Sequence, residues 1–151
     1  MHRFDRYTDP AYSDGFSMLI VRYDGQPAGQ TWGWTLRRNA AWWRNFQPDD
    51  TGLDRDKSTA EDGSRTFALS EIMVCAQQSG RGLARRLHDE LLGRRPEQRA
   101  TLLVEPHNER AYRAYLNWGW TRVGTTKPSW PDAPVLDVLI RDLDSSGQQL
   151  L

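Results

Sequence analysis

The stretch IMVCAQQSGRGLARRL, residues Ile72 to Leu87, changes its hydrophobic period midway, defining two elements and the joint between them. Its first part completes FALSEIMV, Phe67 to Val74, an apolar run with the β-branched and aromatic content of a strand. Beyond the joint, Leu83, Leu87 and Leu91 repeat at i, i+4 and i+8, while Arg85, Arg86, Asp89 and Glu90 lie off that stripe. That is the period of an amphipathic helix, ended by Gly93 and the Arg95-Pro96 step. The joint, Gln77 to Ala84, is a glycine-containing loop. A helix N-terminus offers unpaired N–H groups and partial positive charge, and glycines let a phosphate come close to the backbone. Arg81 would add a charged contact. A tight turn without a ligand accounts for the same residues. The loop lacks the Lys-Ser/Thr of a P-loop, and Arg85 stands where a dinucleotide site needs its third glycine.

Upstream, Phe16 to Tyr23 (FSMLIVRY) reads as a strand, Asp24-Gly25 as a hairpin turn, and Pro27 to Leu36 as the returning strand with Trp32 and Trp34 on one face. Downstream, Ala100 to Glu105 (ATLLVE) has the apolar character of a buried strand. Asn108 to Trp118 follows as a helix with Ala111, Tyr115 and Trp118 on one stripe, closed by Gly119. Trp120 to Gly124 and Val135 to Ile140 read as the last strands. Residues 1–15 read as a polar lead-in and 146–151 as a tail, leaving 16–145 as one domain. Residues 37–66 read as an irregular insertion whose polar composition favours disorder, with a short helix around Asn39 to Phe46. Its Trp42-Trp43 pair covers a ligand, a partner or the core edge. This order of elements predicts an α/β (α+β) domain.

A chain of 151 residues fits one domain. Mean hydropathy is -0.76, yet 38% hydrophobic residues and seven Trp provide core material and argue against disorder. Lys+Arg and Asp+Glu both total 20, which disfavours nucleic-acid backbone and anionic membrane as main partners. Cys75 is the one cysteine, so an internal disulfide and a multi-cysteine zinc site are excluded. His88 and His107 lack metal-ligand spacing, and no metal is expected. No apolar run approaches the roughly 18 residues of a membrane span, and no signal-peptide pattern opens the chain. The expectation is a cytoplasmic protein.

The pattern Asn108-x-x-Ala111-x-x-x-Tyr115-x-x-x-Gly119-Trp120 resembles the second conserved block of the GNAT superfamily, the acyl-CoA-dependent N-acyltransferases. The loop of Ile72 to Leu87 is similar to that superfamily's pyrophosphate block, and the two stand in the family's order. Of two registers, Gln77-x-x-Gly80-x-Gly82 and Ser79-x-x-Gly82-x-Ala84, the second suits the helix better, and Ser79 then departs from the usual Arg or Gln. The resemblance implies a mixed, mostly antiparallel twisted sheet flanked by helices. It also implies acetyl-CoA as cosubstrate and an amine as acceptor, joined by direct attack in a ternary complex.

By the same resemblance, the acyl-CoA arm pairs along Met73, Val74 and Ala76, and a backbone N–H there polarises the thioester. Ser79, Gly80, Arg81, Gly82, Leu83 and Ala84 would hold the pyrophosphate. Asn108 would cap its helix and touch the CoA arm. Tyr115 matches the general acid for the leaving thiolate, against a plain core role. Glu71, costly in mid-strand unless it meets a cleft or a partner, would serve as base or bind the acceptor cation, against a surface carboxylate. Cys75 reads as a small buried residue, and Trp32, Trp34 and Trp130 either line an aromatic acceptor pocket or fill the core, with core filling the first reading. Family members carry a strand and one or two helices before the hairpin, so the N-terminal part here is short. A short version, a truncated start and a wall supplied by a second copy in a homodimer all account for that. A catalytically weak acyl-CoA-binding module and an interaction domain stand as alternatives to the enzyme.

Overall fold

The computed structural model describes residues 1–7 and 15–143. Eight strands form one sheet there: β1 (His2–Tyr7), β2 (Ser17–Tyr23), β3 (Gln26–Thr35), β4 (Gln47–Pro48), β5 (Thr66–Val74), β6 (Arg99–Val104), β7 (Thr121–Thr126) and β8 (Leu136–Asp142). Helices α1 (Arg55–Ser58), α2 (Leu83–Leu92) and α3 (Glu109–Asn117) accompany them. Strand order is β1-β2-β3-β5-β6-β8-β7-β4. Every neighbouring pair is antiparallel except β5 with β6. The β2–β3 hairpin turns at Asp24 (φ 49°) and Gly25 (φ 83°), two successive positive φ values of the kind a two-residue primed turn requires.

Alternation along the strands sorts side chains onto two faces. Phe67 and Leu69 of β5, Leu102 of β6 and Leu139 of β8 join Leu83, Leu87 and Leu91 of α2 in one core, against which Tyr115 and Trp118 pack. Ala68, Leu103 and Val138 belong to a second cluster on the other face, with Leu36, Trp43 and Phe46.

One irregularity positions the site. Trp32 pairs with Glu71 and Gly33 with Leu69, so Ser70 is an extra residue in β5. A bulge bends the strand that carries it. The parallel ladder between β5 and β6 covers Thr66, Phe67 and Ala68 and goes no further, so the strands part and a gap opens in the middle of the sheet.

Two segments differ from the sequence reading. The polar opening contains β1, which pairs with β2 from His2 to Tyr7. An edge strand tolerates charge, and Asp5 accepts from Arg22 at 2.8 Å. Residues 37–66 are ordered, with a 3-10 turn at Ala41–Trp43, β4 and α1. Arg55 donates to the carbonyls of Trp43 (2.6 Å) and Phe46 (3.1 Å). Glu61 accepts from Trp43, Thr66 and Arg99, so polar residues here are internal ties. The rest of the lead-in and the 146–151 tail lie outside the described residues. No described helix is long and apolar enough to cross a membrane.

Candidate active site

Where β5 leaves β6, a cavity of about 420 Å³ lies between β5, the loop before α2, the first turn of α2 and α3. Its strand wall is Ile72 and Val74. Cys75 N–H donates to the Ala28 carbonyl at 2.8 Å, which ties that residue's backbone to β3. Successive peptide groups alternate between the two edges of a strand. Met73 therefore turns its backbone toward β3, and Ile72 and Val74 turn theirs toward the gap, beyond the end of the β6 ladder. The result is a short strand edge with free donors and acceptors.

That edge runs into the glycine loop. Gly80 (φ +79°) and Gly82 (φ +75°) are left-handed, and a Cβ at either would meet nothing within 4 Å, so the space over the backbone is open. Gly82 is the N-cap of α2 and supplies no side-chain cap, which leaves the first N–H groups of the helix to whatever enters. Arg85 and Arg110 line the cavity and add positive charge. Ser79 turns its hydroxyl back onto the Ala76 carbonyl at 2.9 Å. Arg81 lies over the Tyr23 ring at 5.7 Å.

The opposite wall is α3. Asn108 caps it, accepting from Ala111 N–H at 3.4 Å. Tyr115 lies edge-on to both Trp118 (5.9 Å between centroids) and Trp120 (6.2 Å). Burial raises its phenol above the ordinary value near 10, so the side chain holds its proton at neutral pH. The neighbouring Tyr112 is committed elsewhere: burial and its hydrogen bond to Asp137, at 2.5 Å, push that phenol up to about 12. Tyr115 is the phenol that lines the cavity.

Glu71 lies on the other face of the sheet. It sits opposite Trp32 in the β3–β5 register, and its Oε1 accepts from Gln30 Nε2 at 2.9 Å. The cavity thus brings together Val74, Ser79, Gly80, Gly82, Leu83, Ala84, Asn108 and Tyr115, whereas Met73, Ala76 and Arg81 are not among its lining residues. Ile72, Gln78, Arg110 and Ala114 line it without having been singled out from sequence, and Trp118, read there only as a stripe residue, lines it as well. For Ala114 and Trp118 the signal existed, since they share the stripe of Ala111 and Tyr115. Cys75 is exposed rather than buried, because β5 ends there at the mouth of the gap.

No protein-family model matches the chain, and no curated protein matches it in sequence. Its structure, however, is similar to solved acetyltransferases. A GNAT family acetyltransferase from Elizabethkingia anophelis, with acetyl-CoA bound, superimposes with a TM-score of 0.62 at 11% identity over 93% of this chain and 97% of that one. A mutant spermidine N-acetyltransferase from Vibrio cholerae gives 0.64 at 11% identity, over 94% and 73%. Naa50 from Arabidopsis thaliana, in complex with a bisubstrate analogue, gives 0.57 at 14% identity, over 89% and 81%.

Proposed function

We propose that this chain, which has the fold of the GNAT superfamily, is an N-acetyltransferase that moves the acetyl group of acetyl-CoA to an amine by direct attack in a ternary complex. The observation that carries the reading is one continuous surface. The free edge of β5 at Ile72 and Val74 leads to the open backbone of Gly80 and Gly82, with the Tyr115 phenol on the facing wall. The residues present fit the cosubstrate: a strand edge for the amides of its arm, and a helix N-terminus with Arg85 for its phosphates.

Acetyl-CoA supplies an activated acyl group. Everything else falls to the chain. The N–H groups at the open edge of β5 stabilise charge on the acyl oxygen. Glu71 takes the first proton from the ammonium, directly or through water, and the second leaves the nitrogen to water once the N–C bond has formed. At pH 7 only about 0.1% of an amine of pKa ~10 is neutral, so this step matters. Tyr115 gives its proton to the departing sulfur and regains one from solvent. One N–C bond forms and one C–S bond breaks, releasing the amide and CoA thiol. Donor and acceptor then meet from opposite faces of the sheet through the gap beside Ser70.

The test is calorimetry with acetyl-CoA on the wild type, Gly82→Ala and Gly82→Trp. Micromolar binding that the Trp variant loses and the Ala variant largely keeps supports the reading, because Ala adds only φ strain while Trp fills the open space. No binding by folded wild type would overturn it. Binding without CoA release across an amine panel would favour an acyl-CoA-binding module.

A further inference from the structure

The face on which Glu71 lies carries a row of rings. Phe16 and Trp32 have centroids 6.1 Å apart, Trp32 and Trp34 5.8 Å, and Trp34 and Trp42 6.2 Å. All four are half-buried, so each ring keeps surface for something else. Trp34 and Trp42 pack on the second cluster at their inner side. The row does not wander: Trp32 and Trp34 occupy alternate positions of β3 and so share its face, and the β3–β5 register sets Glu71 directly opposite Trp32. Directly opposed residues of an antiparallel pair have Cβ atoms about 5 Å apart. Beside them stand Gln30, bonded to Glu71, and Met73, which is 50% exposed.

The chemistry of this patch is asymmetric. Between Gln30 and Trp34 on β3 and between Glu71 and Met73 on β5, the one charged side chain is the Glu71 carboxylate, and it lies beside the gap. From there the surface is aromatic and uncharged along the row. A polyamine, or a lysine among other basic residues, would bring further cations with no carboxylate in this row to meet them. A single ammonium joined by a short chain to a flat ring matches it, with the cation at Glu71 and the ring over the indoles. Rings stack offset or edge-on with specific geometry, and the tilted indoles offer both faces and edges.

We propose that the acceptor is an arylalkylamine, a monocation whose ring lies along Trp32 and Trp34 and whose nitrogen is held by Glu71 at the gap. The assignment rests on the acetyltransferase reading and names the substrate class of that site. The transfer balances as above: the ammonium gives one proton to Glu71, the freed amine nitrogen bonds the acetyl carbon and loses its second proton to water, and the sulfur leaves as thiol with the Tyr115 proton, which solvent replaces.

The experiment measures CoA release with acetyl-CoA and four amines: phenethylamine, tryptamine, butylamine and spermidine. The expected result is a kcat/KM at least about tenfold higher for the two aryl amines than for butylamine, the size that one or two ring contacts provide. Trp32→Leu should raise KM for tryptamine about tenfold while leaving acetyl-CoA affinity unchanged, and Trp32→Phe should restore part of the loss. Should Trp32→Leu fail to fold, quenching of wild-type tryptophan fluorescence by phenethylamine but not by butylamine, with CoA present, gives the same answer. Turnover with equal or better use of butylamine or spermidine would overturn the assignment and leave the acetyltransferase standing. Acetyl-CoA binding without turnover of any amine would overturn both.

Discussion

The indole N–H of Trp120 donates to Nε2 of His88 at 2.9 Å, inside a core where the imidazole is 0% exposed. The acceptor role fixes the tautomer, so Nδ1 carries the proton toward Asp89 Oδ1 at 2.8 Å. This bond joins α2 to the strand leaving α3, and with it the two helical walls of the cavity.

His88 makes stability depend on pH near neutrality. Burial lowers its pKa, only partly offset by the hydrogen bond to Asp89, and Arg141 and Arg85 act in the same direction as burial. The unfolded chain takes up a proton near pH 6.5, where the folded one does not. Stability is therefore full above about pH 6.5 and declines as pH falls below it toward the folded value. Urea midpoints should drop between pH 7.5 and 5.5, and His88→Gln should flatten that drop. Glu97 acts in a different window. Burial pushes its carboxyl up, but Arg95 and Thr35 outweigh that and hold it below the usual value, so its contribution is lost only under more acid conditions. An unchanged slope in His88→Gln would mean another group titrates.

Tyr115→Phe separates chemistry from binding. The phenol proposed as general acid lines the cavity with its proton held by burial, and general acids contribute about 10²–10⁴-fold. We expect kcat to fall by about 100-fold with acetyl-CoA affinity within about threefold of wild type, by initial rates and calorimetry. A matching loss of affinity would instead mark Tyr115 as packing.

Glu61 secures residues 37–66. Its carboxylate accepts from Trp43 Nε1 (2.9 Å), Thr66 Oγ1 (2.8 Å) and Arg99 (3.1 Å), and the Arg99 and Glu61 side chains are 7% and 2% exposed. Removing one partner of a buried ion pair costs about 3–5 kcal/mol. At about 2–4 °C per kcal/mol for a domain this size, Glu61→Ala should lower Tm by roughly 10 °C. Glu61→Ala combined with Arg99→Met should recover part of it. A shift under about 2 °C would show that water replaces the carboxylate without cost.

What could be read from sequence was what is local. The period change at Ile72 to Leu87 located β5 and α2, and Asp24-Gly25 located a hairpin whose turn needs two positive φ values. β1 escaped notice because an edge strand with Arg3, Asp5 and Arg6 has no apolar alternation to display. Residues 37–66 read as loose because Arg55 and Glu61 look solvated until their distant partners are known. In the site, Gly80, Gly82, Asn108 and Tyr115 were legible because a loop and a helix stripe carry their own geometry. Which residues β5 turns toward the gap was not: the bond from Cys75 to Ala28 and the extra residue at Ser70 decide that, and both belong to long-range pairing.

The parting of β5 from β6 also leaves a signature in time. Met73 and Cys75 direct their amides into the ladder with β3, whereas Ile72 and Val74 direct theirs into the gap. Amide deuterium uptake along this stretch should then alternate residue by residue, slow at 73 and 75 and fast at 72 and 74. A ligand lying along the edge as a substitute strand would slow the fast pair and leave the slow pair as it was.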